Sequence, residues 1–210
     1  MQSLDLLAKL EDIQAIIKDS HIVYTSGKHG SAYVNKDAIY PHTELTSKIG
    51  NAIAQMFQHM NIDAVVAPVI GGVILSQWVA FHLTQLKNKE ILAIYAEKSE
   101  HGFELKRGYA DLIKNHQILV VEDILNTGGS VKKVIQMLDH LGAKTMAVGA
   151  ICNRGGVSAS HLGVPLLKSL LELDLKAWDS SDCPLCKNKI PINETVGKGK
   201  AFIQGKVSKI

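Results

Sequence analysis

Apolar residues recur along this chain with two different periods. Leu6, Leu10, Ile13 and Ile17 stand at helical spacing, which predicts an amphipathic opening helix over 4–17. Leu45, Ile49, Ile53, Met56, Phe57 and Met60 mark a second one, with Thr43 as its cap. Between them, 21–39 reads as two short β segments around a Ser-Gly-Lys-His-Gly turn. Strands and helices then alternate. DAVVAPV (63–69) is a buried-strand run ending at Gly71-Gly72, and a helix is expected over 73–86. ILAIYAE (91–97) is a strand, followed by a polar segment at 98–109. QILVVED (117–123) is the strongest strand signal; the loop NTGG (126–129) and a helix from Val131 to Leu141 follow it. KTMAVGAICN (144–153) is a further strand. Strands that are apolar throughout belong to a parallel sheet covered on both faces. The expected fold class is therefore α/β, a mainly parallel central sheet flanked by helices.

Composition narrows the function more than the fold. The 210 residues fit one domain with a small appended lobe. Apolar residues make up 46% and charged residues 20%, enough to bury a core. No apolar run approaches the roughly 18 residues of a membrane span. The opening MQSLDLLAKLEDIQ lacks the basic start and apolar block of a signal peptide, so a cytoplasmic location is expected. A net charge of +3 with scattered lysines does not argue for nucleic acid, and it suits small anionic substrates. Three cysteines make no disulfide framework. Cys183-x-x-Cys186 is half of a zinc site, but Cys152 is far away in sequence and His161 is poorly spaced, whereas a structural zinc takes four ligands. The pair is read as a packed, reduced cysteine turn, and the Lys- and Gly-rich tail beyond it as a solvated end.

The stretch that carries chemistry is ILVVEDILNTGGS (118–130). An apolar strand runs into two carboxylates, Glu122 and Asp123, then into a tight loop that opens a helix. Ligands of open α/β sheets sit at the carboxyl ends of the strands. Glycines let the backbone approach an anion, and free N–H groups at a helix start favour phosphate. Thr127 and Ser130 add hydroxyl donors. The carboxylates would repel phosphate, so they should accept hydrogen bonds from something else, and the vicinal hydroxyls of a ribose match. Sugar and phosphate together read as a ribose 5-phosphate site. A bare strand-to-helix turn, or that of a flavodoxin-like or dinucleotide fold, is the competing reading, although GxxxxGK[ST] is absent and no GxGxxG follows a strand.

The run VVEDILNTGGS resembles the phosphoribosyl pyrophosphate (PRPP) signature of type I phosphoribosyltransferases. SGKHGSAYVNKDAI (26–39), APVIGGVILS (67–76), YAEKSEHGFELKRGY (95–109) and AVGAICNRGG (147–156) match the orotate phosphoribosyltransferase branch in the right order. The ending LLELDL…DCPLC (170–186) resembles a bacterial subset of it. The resemblance implies one domain over 1–210, with a core over about 40–155 and a hood and tail from 1–40 and 156–210. It implies transfer of phosphoribosyl from PRPP to orotate in pyrimidine biosynthesis, with Mg2+ held mainly through pyrophosphate and ribose rather than by side chains alone.

Residue by residue, the resemblance places Glu122 and Asp123 on the ribose hydroxyls. Ile124 and Leu125 lead into the 5-phosphate cradle, formed by Asn126, Thr127, Gly128, Gly129 and Ser130. The turn holding Gly71 and Gly72 meets the pyrophosphate. Lys98 and Asp123 are the implied catalytic residues, and Lys98, His101, Lys106 and Arg107 belong to a mobile loop that closes over PRPP and is shared across a homodimer. Arg154 holds the orotate carboxylate with a bidentate fork, helped by Asn126 and Lys28. No nucleic acid or membrane partner is implied. Two departures stand out. Ala96-Glu97-Lys98 replaces an Arg-Lys pair entering the loop, and Asn126 stands where most orotate enzymes carry a threonine that touches phosphate and orotate. The competing functions are a transferase for another base, motivated by Asn126, and a non-catalytic nucleotide sensor, against which Glu122, Asp123 and Lys98 speak.

Overall fold

The computed structural model of the protein describes residues 3–24, 26–100, 102–173 and 175–205. In chain order the helices are α1 (Ser3–Asp12), α2 (Thr43–Phe57), α3 (Gly71–Lys87), α4 (Tyr109–Ile113), α5 (Gly129–His140), α6 (Ala159–Leu162), α7 (Pro184–Lys187) and α8 (Gly199–Ile203). The strands are β1 (Ile16–Ile17), β2 (Ile22–Val23), β3 (His29–Gly30), β4 (Tyr33–Val34), β5 (Ala64–Pro68), β6 (Leu92–Ser99), β7 (Gly102–Glu104), β8 (Gln117–Leu125), β9 (Lys144–Asn153), β10 (Leu167–Glu172) and β11 (Ala177–Trp178). Two compact units result, one of Tyr40–Leu173 and one in which Gln2–Ile39 joins Asp174–Ile210. Among the described residues no helix is long and apolar enough to cross a membrane.

The larger unit is built on a six-stranded sheet in the order β10-β9-β8-β5-β6-β7. All its neighbours run parallel except β7, which folds back on β6. Every residue of β5 is buried, and so are Ile118–Val121 of β8, because helices cover both faces of the sheet. The chain leaves β5 toward β6 on one side, and β8 continues toward β9 on the other. The carboxyl ends of β5 and β8 therefore flank the switch point where open α/β sheets bind ligands. Val131, Val134 and Leu138 carry the buried stripe of α5 into a cluster with Val66, Ile94, Val120 and Val148.

The second unit holds short elements. β2 and β3 form a hairpin in register Ile22 with Gly30 and Val23 with His29, so His29-Gly30, expected in the turn, is the second strand, and β11 pairs with β3. The opening helix is shorter than its periodicity predicts. Gln14 takes a left-handed backbone (φ 56°) and Ala15 N–H donates back to the Leu10 carbonyl at 2.8 Å, a closure that ends a helix. Ile16 and Ile17 then pair with Tyr33–Val34 as strand.

Other expectations also shift. Thr43 is the first residue of α2 and not its cap; Thr46 donates through its hydroxyl and its N–H to the His42 carbonyl, both at 2.9 Å. The polar segment after 97 is a short hairpin, with Lys98 opposite Phe103. The edge strand Leu167–Glu172 had no prediction. The tail is ordered over Gly199–Ile203, and Phe202 meets the His29 ring edge-on at 4.8 Å.

Phe57 closes the contact between α2 and the sheet. It is fully buried, and a β-carbon added at Gly149 would lie 3.0 Å from its ring, so strand backbone and ring touch directly. Phe57→Ala is expected to cost about 3–5 kcal/mol, read as a large fall in the urea midpoint. An unchanged midpoint would show that α2 does not depend on this contact.

Candidate active site

Two helix starts and two strand ends meet at the switch point. β8 ends with Glu122 half-buried, Asp123 buried and Leu125 buried, while Asn126, Thr127, Gly129 and Ser130 are exposed. Asp123 Oδ2 accepts from the Tyr40 hydroxyl at 3.1 Å, and Oδ1 accepts from Ile124 N–H at 2.8 Å. A carboxylate this buried (3% exposed) needs such donors. Glu122 Oε1 accepts from Asp123 N–H at 3.2 Å.

Gly128 enters α5 with φ 72°, a conformation that costs glycine nothing. A β-carbon there would meet Leu162 and Val157 at 2.9 and 3.1 Å. No side chain caps α5, and the N–H groups of a first turn have no acceptor within their own helix. Thr127 Oγ1 stands 3.4 Å from Gly129 N, so hydroxyl and backbone donors sit together at the positive end of a 12-residue helix. This is the chemistry of an anion site. α3 likewise starts at Gly71 with no side-chain cap, both glycines are buried, and a β-carbon at Gly72 would strike Ala67 at 2.7 Å.

Arg154 follows β9 directly. Its N–H and that of Gly155 both donate to the Leu125 carbonyl, at 2.9 and 3.2 Å. Asn153 holds the turn beyond it, donating to Val157 O at 2.9 Å and accepting from Val157 N at 3.1 Å. The sequence-predicted residues Glu122–Ser130 and Arg154 thus stand on adjoining strand ends.

The other basic candidates are placed differently. Lys98 is exposed on β6. Lys106 stands 3.2 Å from Glu104 and 3.6 Å from Glu97, and Arg107 Nε is 3.6 Å from Glu97; Glu104 first, then Glu97, holds the Lys106 ammonium above its ordinary pKa. Exposed pairs of this kind are weak and can be exchanged for another anion. His101 lies outside the described residues. Lys28 is exposed in the second unit and pairs with Asp179 at 3.4 Å. Cys152 is no nucleophile, since burial pushes its thiol up to about 12.

Two residues escaped the sequence reading. Tyr40 is a lone tyrosine far from the signature. Gly155 is needed because a β-carbon there would fall 1.5 Å from the Asn126 carbonyl oxygen, a close approach that a glycine pair after a strand only hints at.

Gly155→Ala must therefore displace the 126–130 loop. Overpacking costs about 1–3 kcal/mol, and ribose 5-phosphate, titrated calorimetrically, is expected to bind markedly less tightly. An alanine variant with unchanged affinity would show that the cradle does not depend on this contact.

With that geometry in place, comparison with known proteins is informative. A family model for the phosphoribosyl transferase domain matches residues 35–161. The orotate phosphoribosyltransferase of Thermotoga maritima is 37% identical over 184 residues, 87% of this chain and 93% of that protein. Among solved structures, Mycobacterium tuberculosis orotate phosphoribosyltransferase in complex with 5-phospho-α-D-ribosyl 1-diphosphate aligns with a TM-score of 0.60 at 19% identity, over 81% of this chain and 96% of that one. The adenine phosphoribosyltransferase of Thermoanaerobacter pseudethanolicus aligns with a TM-score of 0.59 at 16% identity, over 78% and 99%. The structural likenesses carry the fold and leave the base open; the sequence identity carries the branch. The chain belongs to the phosphoribosyltransferase family, in the branch of the orotate phosphoribosyltransferases.

Proposed function

We propose that this protein transfers the phosphoribosyl group of PRPP to orotate, giving orotidine 5′-monophosphate and pyrophosphate in pyrimidine biosynthesis in the cytoplasm. The observation that carries the choice of base is the 37% identity to a named orotate phosphoribosyltransferase along nearly its whole length.

In this reading the anomeric carbon exchanges one bond for another. The C1–O bond to pyrophosphate breaks with its electron pair, the N1–C1 bond to orotate forms, and N1 loses its proton. The amides and hydroxyls of Asn126–Ser130 hold the 5-phosphate. Glu122 and Asp123 accept hydrogen bonds from the ribose hydroxyls and lie beside the positive charge that develops on the ring. The backbone at Gly71-Gly72 meets the pyrophosphate. Tyr40 fixes the Asp123 carboxylate so that one oxygen keeps its orientation.

Magnesium suits this donor set. Mg2+ takes few protein carboxylates and several oxygens from substrate phosphates and water, and the Glu122–Asp123 pair offers hard oxygens next to an anion cradle. When bound, the ion would neutralise charge on the departing pyrophosphate. In this reading Lys98 would meet that same leaving group, and Lys106 and Arg107 would release Glu97 to reach it as the 98–109 segment closes. Ile74 and Phe81, exposed on α3 (41% and 48%) and seven residues apart on one face, would suit packing by a second copy of the chain; sharing of the 98–109 segment between copies is what the family resemblance implies.

Arg154 would grip the orotate carboxylate with both guanidinium nitrogens. A second reading, transfer to another base, is favoured by Asn126, whose planar amide replaces the usual threonine hydroxyl. Following pyrophosphate release from PRPP and Mg2+ with a panel of bases decides between them: orotate is expected to be fastest, and a faster base without a carboxylate would overturn the orotate reading. Arg154→Lys keeps the charge and loses the fork, so KM for orotate is expected to rise about tenfold or more with PRPP binding nearly intact; unaltered orotate kinetics would remove Arg154 from the site.

The hairpin offers an independent check. Its amides are expected to exchange quickly in the free protein and to be protected by PRPP with Mg2+. Equal exchange over 98–109 with and without ligand would count against closure.

A further inference from the structure

The second unit contains four side chains that phosphoribosyl transfer leaves unused. His21, just before β2, and His29, on β3, meet Cys183 and Cys186 from the α7 turn, with ligand-capable atoms all within 4.8 Å of one another. His21 Nε2 lies 2.8 Å from His29 Nδ1 and 3.6 Å from each sulfur; Cys186 Sγ lies 3.4 Å from His29 Nδ1. Ligands around a tetrahedral zinc, at 2.0–2.3 Å from the ion, stand roughly 3.3–3.8 Å from one another. The three nitrogen–sulfur separations match this, and the His–His edge would open by roughly half an ångström.

The surroundings point the same way. His21 Nδ1 is 2.7 Å from the Ile190 carbonyl, which places the proton on that nitrogen and leaves the Nε2 lone pair aimed at the cluster. Backbone carbonyls commonly set metal-bound histidines in this manner. Cys183 and His29 are fully buried and His21 nearly so. Two thiolates and two neutral imidazoles neutralise a dication, and this soft set suits zinc and not magnesium. All four positions come from protein, which is the mark of a structural ion.

We propose that His21, His29, Cys183 and Cys186 bind a structural zinc ion that fastens the C-terminal segment to the N-terminal hairpin. Each cysteine gives up its proton as the ion enters. The four ligands lie up to 165 residues apart along the chain, yet the unit they staple has strands of only two residues and roughly 75 residues in two pieces, a size that usually needs a disulfide or metal for support. The inference stands independently of the transferase reading.

The test uses the full chain, purified reduced and without chelator. Zinc is expected in stoichiometric amount by elemental analysis. After removal of the metal, added Co2+ is expected to give the intense visible bands of a tetrahedral site together with thiolate-to-cobalt charge transfer. Cys186→Ser should lose the charge-transfer intensity in part and weaken zinc binding by more than the roughly 10–100-fold that an outer partner costs. Should that variant not fold, the wild type decides: its melting temperature is expected to fall on metal removal and to recover with Zn2+ but not with Mg2+. A reduced, folded protein that retains no zinc and binds no cobalt overturns the site. Zinc binding undiminished in a folded Cys186→Ser also overturns the ligand assignment.

Discussion

One carbonyl organises the site. The Leu125 oxygen, at the last residue of the central buried strand, accepts from both Arg154 and Gly155. That pair of bonds continues the β8–β9 pairing just past its last register pair, Leu125 with Asn153. It is possible only because Gly155 has no side chain to meet Asn126. The proposed phosphate loop and carboxylate grip are therefore fastened directly to each other. α5 starts just beyond this junction without a side-chain cap, while Glu122 and Asp123 are held on the strand just before it. A site of this kind is preorganised: its donors need no rearrangement to meet the charge they bind.

The rigid and yielding parts divide along the sheet. β5, β8 and β9 are buried by helices on both faces, and their strand ends inherit that stiffness. The β6–β7 hairpin at the sheet edge is paired along one side only, packs Phe103 on the core, and adds ion pairs from Glu97 and Glu104 to Lys106 and Arg107 that are worth little in water. Glu97 engages two cations that follow its own hairpin, Lys106 and Arg107. The proposed closure would hand these cations to pyrophosphate and leave the Glu97 and Glu104 carboxylates to water.

Much of this was legible in the residues. Unbroken apolar runs at 63–69, 117–123 and 144–153 announced the parallel sheet, and the acidic pair followed by Thr-Gly-Gly drew attention to the strand end where the candidate site stands. Helices α3 and α5 begin two residues before their apolar stripes do, since glycines enter a helix without marking it. The β10 strand went unseen because an edge strand with one buried residue among six carries no continuous apolar run. Tyr40 and Gly155 matter through contacts distant in sequence, and neither residue type announces such a role. The histidines that complete the Cys183-x-x-Cys186 half-site lie more than 150 residues upstream, outside any spacing pattern, and only the pairing of chain ends in the second unit brings them in.

The strand end itself is most directly tested by titrating ribose 5-phosphate into isotopically labelled protein and following its backbone amides. If the cradle at the start of α5 holds the phosphate, the largest shifts fall on Thr127, Gly128, Gly129 and Ser130, with smaller ones at Glu122 and Asp123. Saturable binding that leaves those four amides unmoved and shifts others would contradict it.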